Sequence, residues 1–107
     1  CHYNFQVYIN NNKMSLMWQQ RSADIFLGLP YDITMYGLLL EMLCKGLDYI
    51  PDQLIGNLGD CHLYNNHLDQ AALQLSRKPY DLPKIEIDFG INIKKGANNF
   101  LFIPTKT

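Results

Sequence analysis

The chain has 107 residues, 48% of them hydrophobic and 18% charged, and a formal net charge of -1. That length and balance suit one globular domain with a single core. The near-neutral charge excludes a protein held on nucleic acid or on a membrane by bulk charge, while a few placed arginines still suffice for a small anion.

The chain opens on Cys1, not on Met, directly before a strand-like run. Domains seldom start on the first residue of a core strand, so a segment of a longer protein is expected. Tyr3 to Ile9 alternates and is rich in aromatic and β-branched residues, which predicts a strand. Asn10, Asn11 and Asn12 predict a turn, because Asn tolerates left-handed backbone angles. A second strand is expected over Met14–Gln20, closing a hairpin. The stretch RSADIFLGLPYD, residues 21–32, reads as a loop punctuated by Gly28 and Pro30.

A helix is expected from Asp32 or Ile33 to Lys45, capped by Asp32 and stopped by Gly46. Its apolar residues cover nearly every face, which predicts burial all round. A short strand over Gln53–Leu58 and a helix over Asn66–Ser76 follow, the latter from the spacing of Leu68, Ala72 and Leu75. Lys84 to Phe89 alternates as a last strand, and the tail from Asn92 is weakly patterned. Strands and helices mixed in this order predict an α/β or α+β domain.

Cys1, Cys44 and Cys61 are odd in number, widely spaced and without a CxxC pair. They predict neither a disulfide framework nor a zinc site, and no metal is expected. A reduced cytoplasmic protein is the simplest expectation. No apolar run reaches the roughly eighteen residues of a membrane helix, and no signal-peptide pattern is visible.

Several residues can carry chemistry, each with a plainer reading beside it. Cys1 is a nucleophile only as thiolate and needs a cation or donor nearby; otherwise it is a small buried residue. Arg21 and Ser22, with Asp24, form a phosphate-binding combination or a solvated loop. His62 and Tyr64, in GDCHLY, suit a sugar hydroxyl or simply end a strand; if the strand continues, they share a face. His67 reads as structural, and Trp18 as core or interface. A cysteine hydrolase using Cys1 and His2 is disfavoured, because adjacent strand residues face opposite ways.

Together these pieces say more. CHYNFQVYI, then QQRSADIFLGLPYDITMYGLLL, GDCHLYNNHLDQAALQLSRKP and LPKI resemble the thymidylate synthase family from Cys1 to about Ile85. The resemblance implies the thymidylate synthase fold, a mixed sheet packed with helices, of which residues 1–107 would be the C-terminal catalytic part. It implies one-carbon transfer from methylene-tetrahydrofolate to C5 of a deoxypyrimidine monophosphate, dUMP becoming dTMP. Cys1 matches the nucleophile that adds to C6. Arg21 and Ser22 match phosphate ligands, with Arg21 also near the cysteine sulfur. Asp24 and Gly28 are similar to residues contacting the ring or the folate. His62 and Tyr64 match the pair holding the deoxyribose hydroxyl, and Gln20 and Asp60 match ordered polar residues around the site. A homodimer formed through the sheet is implied, with no nucleic acid or membrane partner.

Three departures bear on that reading. Where the family normally has an Asn that reads the pyrimidine edge, this chain has Asp32. An amide offers uracil both an acceptor and a donor, whereas a carboxylate offers acceptors alone and suits the amino group of cytosine. An unpaired buried polar group costs about 1–3 kcal/mol. Asp32 therefore leaves dCMP hydroxymethylation or methylation open beside thymidylate synthesis, and a helix-capping Asp32 in a uracil enzyme open as well. The tail over residues 92–107 does not align with the segment that closes over the folate; an open lid would admit water and give a hydroxymethyl product. The N-terminal half of the family has no counterpart here. It would supply a Glu that organises proton transfer, much of the folate pocket and two arginines for the partner's phosphate. The isolated segment is thus expected to be inactive, with exposed strand edges. A non-catalytic remnant that binds nucleotide or only dimerises is the rival from another class.

Overall fold

The computed structural model describes residues 1–88 and, of residues 101–104, the backbone. Strands β1 (His2–Asn10) and β2 (Lys13–Asp24) form an antiparallel hairpin. Asn11 and Asn12 close it with φ of 48° and 63°. Two successive left-handed residues make the turn whose twist matches the flanking strands, and Asn adopts them at little cost.

Strand β2 runs past Gln20 to Asp24, so the RSAD stretch is strand where a loop was expected. The reason is a partner invisible in the local sequence. Strand β3 (Ile50–His62) lies parallel to β2 and pairs Ser22 with Asp60 and Asp24 with His62. The ladder satisfies backbone groups that a loop would leave to water. Strand β3 likewise outgrows the expected Gln53–Leu58. The sheet order is β1-β2-β3, so β2 is central and the other two are edges.

Helix α1 (Leu29–Leu47) connects β2 to β3 and packs on one face of the sheet. It starts earlier than expected, with Pro30 in the first turn, where its missing N–H is not needed. Its N-cap is Gly28, without a side-chain cap, so Asp32 does not cap the helix. It sits in the first turn, where a negative charge suits the helix dipole. Gly46 does not stop α1. The helix ends at Asp48, in the left-handed region with φ of 63°, whose N–H donates to the Cys44 carbonyl.

The core is one seam. Met14, Leu16 and Trp18 alternate along β2 and meet Tyr36, Leu40 and Cys44, four residues apart on α1. Trp18 and Tyr36 stack at 4.9 Å. The expected burial of α1 on every side is corrected: Ile33 and Met35 are 46% and 49% exposed. Among the described residues, a single sheet covers the helix, and a sheet can bury only one stripe of it. All nine residues of β1 are exposed, Tyr3 and Tyr8 by about two thirds.

A 3-10 turn (Asn65–His67) leads into α2 (Leu68–Leu75), within the helix expected over Asn66–Ser76. Strands β4 (Ile85–Asp88) and β5 (Leu101–Pro104) pair antiparallel in a second sheet. Phe89 and the tail from Asn92, apart from the β5 backbone, lie outside the described residues, and with them the expectation about a closing segment. The fold is α+β, as the alternation of elements led one to expect. No described helix is long and apolar enough to cross a membrane.

Candidate active site

Strand directions gather the candidate residues at one end of the sheet. Strand β1 is antiparallel to β2, so its first residues sit beside the last residues of β2. Strand β3 is parallel to β2, so its last residues sit there too. Helix α1 begins five residues after β2 ends and returns its first turn to the same end. One step across the sheet is about 5 Å. Cys1, His2, Gln20 to Asp24, Gly28, Asp32 and Asp60 to His62 thus become neighbours despite a sequence span of sixty residues. Ligands of open sheets with crossover helices commonly sit at this carboxyl end of the strands.

Cys1 is exposed, and its carbonyl accepts the Arg21 N–H at 2.9 Å. That bond sets the exposed Arg21 across from Cys1 in the hairpin. The guanidinium offers its fork of donors to an anion. Ser22, next in β2, is half-buried.

A chain of polar contacts runs beneath this surface. The Trp18 indole donates from Nε1 to Gln20 Oε1 at 3.0 Å. Gln20 donates from Nε2 to the Ser22 carbonyl and to Asp32 Oδ2, both at 2.8 Å. His2 Nε2 lies 3.2 Å from Asp32 Oδ1. An indole nitrogen only donates, so the Gln20 amide has one permitted orientation, and Asp32 Oδ2 must accept. Gln20 is 4% exposed and its amide is engaged at both ends, so it orients Asp32 from behind. His2 reaches Asp32, which agrees with its unsuitability as a base for Cys1.

Asp24 organises the return to α1. Its Oδ1 accepts the N–H groups of Phe26 and Leu27 at 3.1 and 3.3 Å. This is the local turn that Asp side chains favour. Its carbonyl accepts the Gly28 N–H. A Cβ on Gly28 would lie 3.3 Å from that carbonyl oxygen, so the turn is tight there. The Gly28 carbonyl then accepts the N–H groups of Tyr31 and Asp32 and starts the helix.

His62 ends β3, and its Nδ1 faces the Asp60 carbonyl at 3.3 Å and Asp60 Oδ1 at 3.6 Å. Both partners are acceptors, so Nδ1 carries the hydrogen. In the neutral ring Nε2 is then an acceptor. The Tyr64 ring meets His62 edge-on at 4.9 Å. Asp60, His62, Leu63, Tyr64 and Asn65 line a cavity of about 360 Å³. A hydroxyl entering it finds an acceptor on His62 and a donor on Tyr64.

The sequence reading missed two features. It gave His2 no partner, whereas the structure sets it against Asp32, thirty residues away; nothing in local spacing signals such a contact. It also passed over Phe26, which packs on His67 at 5.1 Å and ties the 3-10 turn to the loop before α1. The described residues contain no cluster of three or more His, Cys, Asp or Glu able to hold a metal.

Comparison with known proteins bears on family and fold. The family model "Thymidylate synthase" matches residues 1–102, beyond the resemblance that ended near Ile85. The chain is 51% identical to a thymidylate synthase from Francisella philomiragia over 87 residues, 81% of this chain and 32% of that protein. It is 53% identical to one from Wigglesworthia glossinidia brevipalpis, over 81% of this chain and 33% of the relative. The solved structure of thermostable thymidylate synthase A from Bacillus subtilis superposes with a TM-score of 0.81 at 32% identity, covering 86% of this chain and 33% of that one. The chain spans about a third of the length of the relatives it matches.

Proposed function

Because the chain belongs to the thymidylate synthase family, we propose that it is the catalytic-cysteine segment of a longer enzyme that methylates deoxyuridylate at C5. The observation that carries this reading is the convergence of Cys1, Arg21, Asp32 and His62 at one end of the sheet, with Cys1 bonded through its carbonyl to Arg21.

On this reading the Cys1 thiolate adds to C6 of the pyrimidine. The ring electrons move to C5 and the C4 carbonyl, and C5 becomes the nucleophile. Arg21 and Ser22 hold the phosphate. His62 accepts the deoxyribose hydroxyl proton while Tyr64 donates to its oxygen. Asp32 faces the base edge, held from behind by Gln20. Asp24 Oδ1 is occupied by its own turn, which leaves Oδ2 for a ring or folate N–H. Methylene-tetrahydrofolate supplies the one-carbon unit and the hydride, and most of its pocket belongs to the part of the enzyme outside this chain. A cytoplasmic homodimer assembled through the sheet completes the reading, and it would cover exposed residues of β1 such as Tyr8.

Deoxycytidylate is the second substrate reading, favoured by one observation. Position 32 carries a carboxylate, which offers acceptors alone and suits an amino group. Mass analysis of the product separates the two. The full-length parent, given methylene-tetrahydrofolate, should convert deoxyuridylate to its C5-methyl product. Cys1→Ala should abolish that turnover, and unchanged turnover would sink the reading. A modified cytosine product would move the assignment to the second substrate. A parent that neither binds nor converts either nucleotide would be a non-catalytic remnant.

A further inference from the structure

We propose that His67 is a positioning residue for the sugar site: its ring fixes Tyr64 against the turn built by Asp24 and so aims the Tyr64 hydroxyl at the deoxyribose hydroxyl. The inference rests on the reading of His62 and Tyr64 given above and adds to it a residue that itself touches no substrate.

Tyr64 needs such a support. It lies after the end of β3 and before the 3-10 turn over Asn65–His67, so no sheet ladder holds its backbone, and it is 53% exposed. A side chain that open keeps much of its rotational freedom unless neighbours remove it. Two rings do so. His62 meets it at 4.9 Å and 84°, and His67 at 6.2 Å and 88°. Both contacts are close to perpendicular, the arrangement that sets the positive edge of one ring against the negative face of the other.

The backbone explains why His67 is in place. Its N–H donates to the Tyr64 carbonyl at 2.9 Å and closes the 3-10 turn. Residues three apart in such a turn come to the same side. His67 also meets Phe26 at 5.1 Å. Phe26 is itself fixed, because its N–H donates to Asp24 Oδ1 at 3.1 Å. The N–H of the preceding Ile25 donates to the His62 carbonyl at 2.9 Å. The contacts therefore close a circuit from Asp24 through Phe26, His67, Tyr64 and His62, and back through Ile25 to the turn. His67 is the member that joins Tyr64 to the turn.

Nδ1 of His67 is buried and has no hydrogen-bond partner among the described residues. The ring is thus placed by its ring contacts and not by a bond from that nitrogen. A phenyl ring offers the same contacts and leaves no buried nitrogen unpaired, which is otherwise a cost. Two substitutions therefore separate ring from nitrogen: His67→Phe keeps the support, whereas His67→Asn keeps a polar group near Nδ1 and loses the ring.

The experiment uses the full-length parent. kcat and KM are measured for the nucleotide it turns over and for the analogue lacking the 3′-hydroxyl, and folding is followed by thermal melting. His67→Asn should raise KM for the natural nucleotide by about three- to tenfold, the scale of one aromatic pair. It should leave kcat within about twofold, the pattern of lost uniform binding. On the analogue it should cost nothing further, and combined with Tyr64→Phe it should add nothing to the loss from Tyr64→Phe alone. His67→Phe should keep the unmutated KM and melt no lower than the unmutated protein. Losses of equal size on both nucleotides would mean that His67 only holds the fold, and the proposal fails. It fails equally if His67→Phe is as impaired as His67→Asn, or if the loss adds to that of Tyr64→Phe. If Tyr64→Phe by itself leaves KM unchanged, the sugar reading falls and the proposal with it, an outcome told apart because it involves no change at His67.

Discussion

The backbone N–H of Arg21 bonds to the carbonyl of Cys1 at 2.9 Å, which joins the first residue of the chain to the point where β2 passes from apolar to polar. The bond uses main-chain atoms only. Cys1 and Arg21 are therefore held together by hairpin pairing, independently of their side chains, and either can be replaced without dissolving the arrangement that positions the other. The same logic separates scaffold from chemistry in the rest of the site.

Gln20 is scaffold, and its replacement tests the polarity argument. Gln20→Glu places a carboxylate 2.8 Å from Asp32 Oδ2 and from the Ser22 carbonyl. At neutral pH this should cost about 3–5 kcal/mol, the usual effect of an uncompensated buried charge. The two carboxyls would share a proton, so their folded-state pKa rises above the unfolded value. Stability should thus be retained at acid pH and lost as pH rises through that value. Urea melts of the parent and the variant across pH check this, and parallel curves would refute it.

Two glycines of β3 hold the strands close. A Cβ on Gly56 would lie 2.5 Å from the Trp18 ring, and one on Gly59 would lie 2.5 Å from the Arg21 carbonyl oxygen. Gly56→Ala should displace the indole from Gln20, destabilise by about 1–3 kcal/mol and shift the tryptophan fluorescence. Gly59→Ala meets backbone, which cannot swing aside, and should lower the urea midpoint further. The reverse order of midpoints would contradict the packing.

His62 and Tyr64 should act on one hydroxyl. His62→Ala and Tyr64→Phe should each reduce kcat/KM for the natural nucleotide by about tenfold or more, since each removes one hydrogen bond worth roughly 1–3 kcal/mol when its partner is left unpaired. Against an analogue lacking the 3′-hydroxyl, neither substitution should add a further loss. Additional losses with that analogue would show that the two residues serve elsewhere.

The thiols should differ sharply in reactivity. Cys44 is buried in the seam between α1 and β2, and burial, reinforced by the Glu41 carboxylate, pushes its pKa up. A raised pKa means that the folded state holds the proton more tightly, so this contribution to stability is lost only as pH rises into the alkaline range. With an aromatic disulfide reagent near pH 8, Cys44 should be modified last, at the rate of unfolding. Rapid labelling of Cys44 in the native protein would overturn its placement.

Much was legible in the sequence because it is local. The three asparagines marked the hairpin, since two left-handed residues were needed and Asn tolerates them. The run from Met14 to Gln20 marked β2, and the mixture of elements marked an α+β fold. The string from Gln20 to Pro30 marked the family through its rare residue order. What the sequence could not hold was contact at a distance. The polar run Arg21–Asp24 reads as loop until β3 lies beside it and completes its ladder. Helix α1 reads as buried all round until the described chain is seen to offer it one sheet. Gly46 reads as a stop, but the helix runs on to Asp48, where the chain turns back towards β3. Asp32 reads as a cap until the fold turns it towards Gln20 and His2. Residue types fixed which groups were present, and strand directions decided which of them meet. A hydrogen bond between residues thirty positions apart depends on the whole sheet, and no local pattern encodes it.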